Sequence, residues 1–193
     1  MASPPETCPY VSRGGLKLRH ALDTFGLDPS GLTCADLGCS TGGFTDCLLQ
    51  AGAARVHSVD TAYGQLAWTL RNDPRVVVLE RANALHTLPP APVDLVVVDI
   101  GWTPQRLAVP AALRWLRATP QARIISLIKP HYEASDRGGP REESGRTRGG
   151  RGPRDRGVLP ETDAQRITDE VVAALPPLGV EVLGLTKSPI LGG

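Results

Sequence analysis

Five short apolar runs recur along the chain: LTCADLG (32–38), RVHSVD (55–60), VVVLE (76–80), DLVVVDI (94–100) and RIISLIKP (123–130). Each reads as a buried strand, because it is nearly continuous in apolar residues and too short for a core helix. Helical patterns lie between most of them: FTDCLLQAG, GQLAWTLRN and PQRLAVPAALRWLRA. A first helix precedes the series, with Leu18, Leu22 and Phe25 spaced i, i+4, i+7 and Gly26 as its stop. After the fifth run, ETDAQRITDEVVAAL predicts a helix with Thr162 as N-cap, and GVEVLGLT predicts one more strand. Alternating strands and helices imply a mostly parallel sheet covered on both faces, an α/β, Rossmann-like, doubly wound fold.

Two segments break the pattern. Residues 1–12 read as a short leader containing Pro4, Pro5 and Pro9. Residues 135–157 are dominated by Gly, Arg and Pro, with seven arginines against four acids. That composition buries too little surface to offset its ordering entropy, so it predicts a basic flexible loop. Two roles fit such a loop: a solvated linker, or a phosphate-binding arm. The remainder, 13–193, reads as one domain.

The polar residues of this pattern fall at the carboxyl ends of the runs, where open α/β sheets bind ligands. Asp36 and Gly38 close the first, Asp60 the second, Asp99 the fourth and Lys129 the fifth, with Asn83 just past the third. A turn of small residues, Ser40-Thr41-Gly42-Gly43, follows the first strand and feeds a helix N-terminus, which favours electronegative ligand groups. Asp60, about twenty residues on, is placed to accept hydrogen bonds from ribose hydroxyls, and Asn83 to read an adenine edge. NAD and S-adenosylmethionine enzymes share this signature. Ser40 stands where G-x-G-x-x-G needs its second glycine, which argues against a pyrophosphate cofactor.

The same turn also fits G-x-S-x-G, with Ser40 as a hydrolase nucleophile and Asp99 and His131 following in triad order. Little chain precedes Ser40 to build an oxyanion loop, no HGGG-like stretch is present, and Asp60 and Lys129 are left without roles. The lysines suit another task. Lys129 ends an apolar strand, where desolvation lowers an amine's pKa, and Asp99 on the neighbouring strand end can pair with it. With Lys17 on the first helix, they form a set suited to activating an alcohol for attack on a methyl sulfonium.

Composition narrows the picture without redirecting it. The formal net charge of +1 argues neither for nor against nucleic acid, and a 4% aromatic share leaves few stacking residues. No apolar h-region and no membrane-length apolar run is present, so the expectation is a cytoplasmic protein without a membrane partner. Cys8, Cys34, Cys39 and Cys47 form no C-x-x-C pair, and the histidines complete no zinc set, so no metal is expected.

YVSRGGLKL, DLGCSTGGFTDCLLQAGAARVHSVDTAYGQLAWTLRNDPRVVVLERANA, VDLVVVDI and LIKPHYEA closely resemble the TlyA (hemolysin A) family of FtsJ-like ribosomal RNA 2′-O-methyltransferases. The resemblance covers most of residues 10–134 and resumes weakly at GVLPETDAQRITDEV and TKSPILGG. It implies a class I methyltransferase fold, S-adenosylmethionine as methyl donor, and ribosomal RNA or ribosomal subunits as partner. It also implies a Lys–Asp–Lys–Glu catalytic set, whose first three members map to Lys17, Asp99 and Lys129. Three departures stand out. The family's fourth residue and its last, seventh strand have no counterpart before Gly193, which predicts an exposed sheet edge and leaves Glu133 and Glu161 as the stand-ins. The family's N-terminal S4 RNA-binding domain has no counterpart before Tyr10. The stretch IGWTPQRL after Asp99 differs from the family's VSFISL-like residues on the expected substrate side. The missing glutamate motivates an alternative reading, a non-catalytic cofactor- or RNA-binding remnant. The Ser40 hydrolase is the more distant alternative.

Overall fold

The computed structural model describes residues 8–136 and 159–190. Residues 1–7 of the expected leader and 137–157 of the expected basic loop lie outside the described residues.

The five apolar runs form five strands: β1 (Thr33–Leu37), β2 (Arg55–Val59), β3 (Val76–Leu79), β4 (Leu95–Val98) and β5 (Arg123–Ser126). They pair in the order β3-β2-β1-β4-β5, and every pairing is parallel. The helices are α1 (Gly14–Phe25), α2 (Gly43–Gln50), α3 (Trp68–Arg71), α4 (Gln105–Leu113), α5 (Pro130–Asp136) and α6 (Glu161–Ala173), followed by a short 3-10 turn at Pro176–Leu178. The strand order reverses between β1 and β4, the switch point of a doubly wound sheet.

Alternation along the strands sorts the core into two layers. Cys34, Val56, Leu95 and Val97 face α1, α2 and α3, packing on Leu18, Leu22, Leu48 and Leu70. Ala35, Leu37, Val59, Val96 and Val98 face the other way, onto Ala108 and Ala112 of α4 and the fully buried Trp115. β1 and β4, at the centre, are almost wholly buried, whereas β3 and β5 are half-buried edges. His57 lies on the second layer, buried with its ring centroid 6.1 Å from that of Trp115. Burial, with a smaller effect of Arg55, pushes its pKa down, so the imidazole packs as a neutral ring.

Helix α1 ends as expected. Gly26 adopts a left-handed φ of 61°, and Leu27 N–H returns to Leu22 O at 2.9 Å, the 6→1 bond of a glycine-terminated helix.

Three other expectations are corrected. The segment expected to form a strand, GVEVLGLT, forms no ladder among the described residues. It runs along α1 instead, with Gly184 against the Phe25 ring and Thr186 hydroxyl bonded to His20 Nε2 at 3.1 Å. Without a neighbouring strand its apolar side chains stay out, with Leu183 and Leu185 exposed. Thr162 does not cap α6, which starts at Glu161 behind Pro160 without a side-chain cap. The helix expected over GQLAWTLRN shrinks to Trp68–Arg71, because Gly64 turns left-handed at φ 73° and its N–H is drawn to Glu80 Oε1 at 2.7 Å.

Leu48 is fully buried beneath the first layer. Leu48→Ala is expected to lower unfolding free energy by about 2–5 kcal/mol in urea titrations, the cost of an incompletely collapsed cavity.

Candidate active site

The register sets the site. Leu37 pairs with Val59 on one side and Val98 on the other, while Leu79 and Ser126 complete the same row. The next residue of each central strand, Gly38, Asp60 and Asp99, therefore stands on one rim. Above this rim opens a cavity of about 810 Å³, in the size range of small-molecule sites.

Of the residues read from the sequence, Lys17, Asp36, Gly38, Ser40, Thr41, Gly43, Asp60, Asn83, Asp99 and Lys129 line this cavity. Gly42 does not. It caps α2 at φ 101°, and a Cβ there would lie 2.4 Å from Leu70 Cδ1, so its role is to let the turn close over α3. Gly38 has a similar constraint facing β4. Its φ is 89°, and a Cβ would fall 2.8 Å from the Asp99 carbonyl oxygen. This contact brings the turn after β1 against the turn after β4.

Asp60 organises the glycine turn. Its Oδ2 accepts Ser40 N–H at 2.8 Å and its Oδ1 accepts Ala62 N–H at 2.8 Å. Ser40 itself sits at φ 49°, a left-handed conformation held by that bond. Each carboxylate oxygen keeps further acceptor capacity. Asn83 closes its own turn, with Oδ1 accepting Leu85 N–H at 2.9 Å.

Asp36 is fully buried. Its Oδ2 accepts both the N–H and the hydroxyl of Thr45, at 2.9 and 2.7 Å, and the Thr45 hydroxyl meets Ser58 Oγ at 2.8 Å. Oδ1 has no hydrogen-bond partner among the described residues. Desolvation, aided by Asp99 and Asp60 and opposed by the Thr45 bonds, pushes its pKa up to about 7.

Lys129 and Asp99 form an ion pair, both about one-fifth exposed. The Lys129 amine also lies 5.7 Å from the centroid of the Tyr132 ring. Lys17 reaches the same cavity from α1, beside Arg13. His131 does not line the cavity that Ser40 lines; it is exposed and meets the Tyr132 ring edge-on at 4.0 Å. The Ser40–Asp99–His131 triad is therefore not assembled.

Neither glutamate stand-in lines the cavity. Glu133 is buried and accepts Gln105 N–H at 2.8 Å, while the Gln105 side chain bonds Leu127 O and Ser126 Oγ. Glu133 thus ties α5 to the start of α4 and the end of β5, bracing the segments that carry Asp99 and Lys129. Glu161 is exposed and pairs with Lys187. The residues that sequence reasoning passed over are Glu133 as a brace, the Thr45–Ser58 pair beneath Asp36, and Trp102 at the cavity wall. Only Trp102 carried a signal, as part of the unusual IGWTPQRL stretch.

A parallel doubly wound sheet, a glycine turn at its switch point and a Lys–Asp pair on the rim define the Rossmann-like class of nucleotide-type cofactor domains. The family model described as FtsJ-like methyltransferase matches residues 10–147, and the chain belongs to that family. It is 50% identical over 127 residues to the 16S/23S rRNA (cytidine-2′-O)-methyltransferase TlyA of Mycobacterium tuberculosis, covering 64% of this chain and 47% of that one. It is 32% identical over 189 residues to Hemolysin A of Brachyspira hyodysenteriae, covering 95% of this chain and 72% of that one. A solved structure from Streptococcus thermophilus, provisionally named a hemolysin, superposes with a TM-score of 0.82 at 34% identity, covering 98% of this chain and 65% of that one. The chain spans about half the length of the mycobacterial relative. Among the described residues, no helix is long and apolar enough to cross a membrane and no cluster could hold a metal ion.

The raised Asp36 value lies above the ordinary 3.8, so the folded protein holds this proton longer than the unfolded chain does. The resulting stabilisation is complete below about pH 4 and is lost as pH rises through about 7. Compared with Asp36→Asn, the wild type is expected to lose unfolding free energy on the order of a few kcal/mol across that window. Parallel curves for the two proteins in pH-stepped urea melts contradict the assignment.

Proposed function

We propose that the chain is an S-adenosylmethionine-dependent methyltransferase acting on ribose 2′-hydroxyls of ribosomal RNA in the cytoplasm. The observation that carries this reading is the Lys129–Asp99 ion pair on the wall of a cavity also lined by Lys17 and by the turn after β1. The family membership and the relatives' names support the substrate class. Nothing in the comparisons favours the remnant reading or the hydrolase.

The cavity suits the methyl donor. That cofactor carries two cationic groups, an ammonium and a sulfonium, and three carboxylates, Asp36, Asp60 and Asp99, border the space. The orphaned Asp36 Oδ1 is the buried acceptor that such a cation satisfies. Asp60 would receive ribose hydroxyls, Asn83 would meet the adenine edge, and the backbone from Gly38 to Gly43 would allow close approach. When bound, the cofactor supplies an electrophilic methyl group.

The remaining chemistry belongs to the chain. Lys129 Nζ helps to deprotonate the substrate 2′-hydroxyl as that oxygen turns nucleophilic. Asp99 holds the Lys129 amine in place. Lys17 adds positive charge on the same wall, which stabilises negative charge growing on the oxygen. Selection of RNA over DNA follows, since DNA lacks the reacting hydroxyl.

Two outcomes are expected. Lys129→Ala abolishes methyl transfer to ribosomal RNA while calorimetric affinity for S-adenosylmethionine stays within a few-fold; a variant that methylates at the wild-type rate removes Lys129 from the mechanism. Asp60→Ala weakens cofactor affinity by about 1–3 kcal/mol, the value of a charged hydrogen-bonding group lost from a partly buried site. Unchanged affinity rules out its ribose role, and a thermal melt separates binding loss from unfolding.

A further inference from the structure

We infer that Thr45 and Ser58 reserve Asp36 Oδ1 for a single cation, so that a proton and the ammonium of S-adenosylmethionine exclude each other there and cofactor binding expels the proton; this rests on the methyltransferase reading above. The two oxygens of Asp36 have different work. Oδ2 is structural. Helix α2 starts behind Gly42, which has no side chain to cap it, and Oδ2 takes the N–H of Thr45, the third residue of the helix, at 2.9 Å. It also takes the Thr45 hydroxyl at 2.7 Å. With its own proton committed to Asp36, Thr45 Oγ1 accepts from the Ser58 hydroxyl at 2.8 Å. All three residues are fully buried. The relay runs from β2 through α2 to β1 and fixes the rotation of the carboxylate.

Oδ1 has no such employment. It makes no hydrogen bond among the described residues, although Asp36 is buried and borders the cavity. Asp99 Oδ1 also lacks a hydrogen bond, but it has Lys129 beside it. A buried carboxylate oxygen without a donor is costly. A proton relieves it, and so does a cationic donor arriving from the cavity. Because Oδ2 already receives two donors, the proton goes to Oδ1, the oxygen that an ammonium needs. The sulfonium has no N–H to give, so the ammonium is the competing group.

The surroundings set this exchange near neutral pH. Asp60 at the end of β2 and Asp99 at the end of β4 add negative charge, while Lys129 is paired with Asp99. The Cys39 thiol is kept neutral by burial, and Arg13 and Lys17 border the cavity at the start of α1. Burial is the largest influence, and the Asp36 carboxyl stands at about 7. An ammonium on Oδ1 requires the ionised form, so affinity rises with pH up to about 7 and then levels off. Thr45 and Ser58 are thus positioning residues that act through Asp36.

The test titrates the full chain with S-adenosylmethionine by calorimetry in buffers of different ionisation enthalpy, which counts the protons exchanged. At about pH 6 the wild type is expected to release about one proton per cofactor, and its affinity to fall about tenfold for each pH unit below the midpoint. Asp36→Asn is expected to bind more weakly, with no proton released and no pH dependence over that range. Thr45→Val removes the hydroxyl that favours the ionised form. It is expected to raise the midpoint by about 1–2 pH units, and Thr45→Ser to restore it. A role in folding alone would not move a midpoint. Carbon NMR of the Asp36 carboxyl reads the same midpoint without ligand, and thermal melts confirm folding. A wild type that releases no more protons than Asp36→Asn overturns the exchange. A wild-type midpoint in folded Thr45→Val overturns the relay. Should Thr45→Val not fold, Ser58→Ala carries the same test with a smaller rise expected, and no rise overturns the relay. Titration of Asp36 in the ordinary carboxylate range overturns both. A folded wild type whose Asp36 titrates near neutrality but which binds no S-adenosylmethionine upholds the relay and sinks the methyltransferase reading.

Discussion

Everything at the site depends on the parallel register that places Leu37 level with Val59 and Val98. In a parallel sheet every strand ends on the same side, so one row of backbone pairing delivers Gly38, Asp60 and Asp99 to one rim. An antiparallel neighbour would have carried its polar end to the opposite side. The two core layers exist to hold that register, because a one-residue slip of β4 would exchange Val96 and Val98 for Leu95 and Val97 between layers. Gly38 then adds the finer constraint. Its missing side chain lets the first turn lie against the Asp99 carbonyl, which joins the glycine turn and the Lys–Asp pair in one cavity.

The charges on this rim have two opposed tendencies. Burial pushes Asp36 toward its protonated form, and the nearby charges of Asp99 and Asp60 add to that push. Lys129 offsets Asp99 directly, while Asp60 is occupied by two backbone N–H groups. Asp36 Oδ1 and Asp99 Oδ1 both lack a hydrogen-bond partner among the described residues, but Asp99 has the Lys129 ion pair.

Much of this was legible in the sequence because its cause is local. Buried parallel strands are apolar runs whatever they pair with, and a polar residue at a strand's end must emerge at the rim. Elements that depend on distant neighbours were not legible. GVEVLGLT has the composition of a strand, yet a strand is defined by its ladder, and this segment meets the side of α1. Glu133 could not be told from a catalytic carboxylate, since its identity as a brace rests on Gln105, which the fold brings to it from across the chain. Thr162 has the right chemistry for a cap, but Pro160 already sets the entry to α6.

The site divides into two halves with different physical demands. The half built on β1, β2 and the turn after β3 is made of backbone donors, glycines and buried carboxylates, which suit a ligand of fixed shape and charge. The half built after β4 and β5 is side-chain rich, with Lys129, Trp102 and Tyr132, and is stiffened from behind by the Glu133–Gln105–Ser126 network. The network grips α4 at Gln105, the first residue of the helix, while the sheet pairing of β4 holds the chain up to Asp99, so the turn between them, which carries Trp102, is fixed at both ends by contacts outside the turn itself.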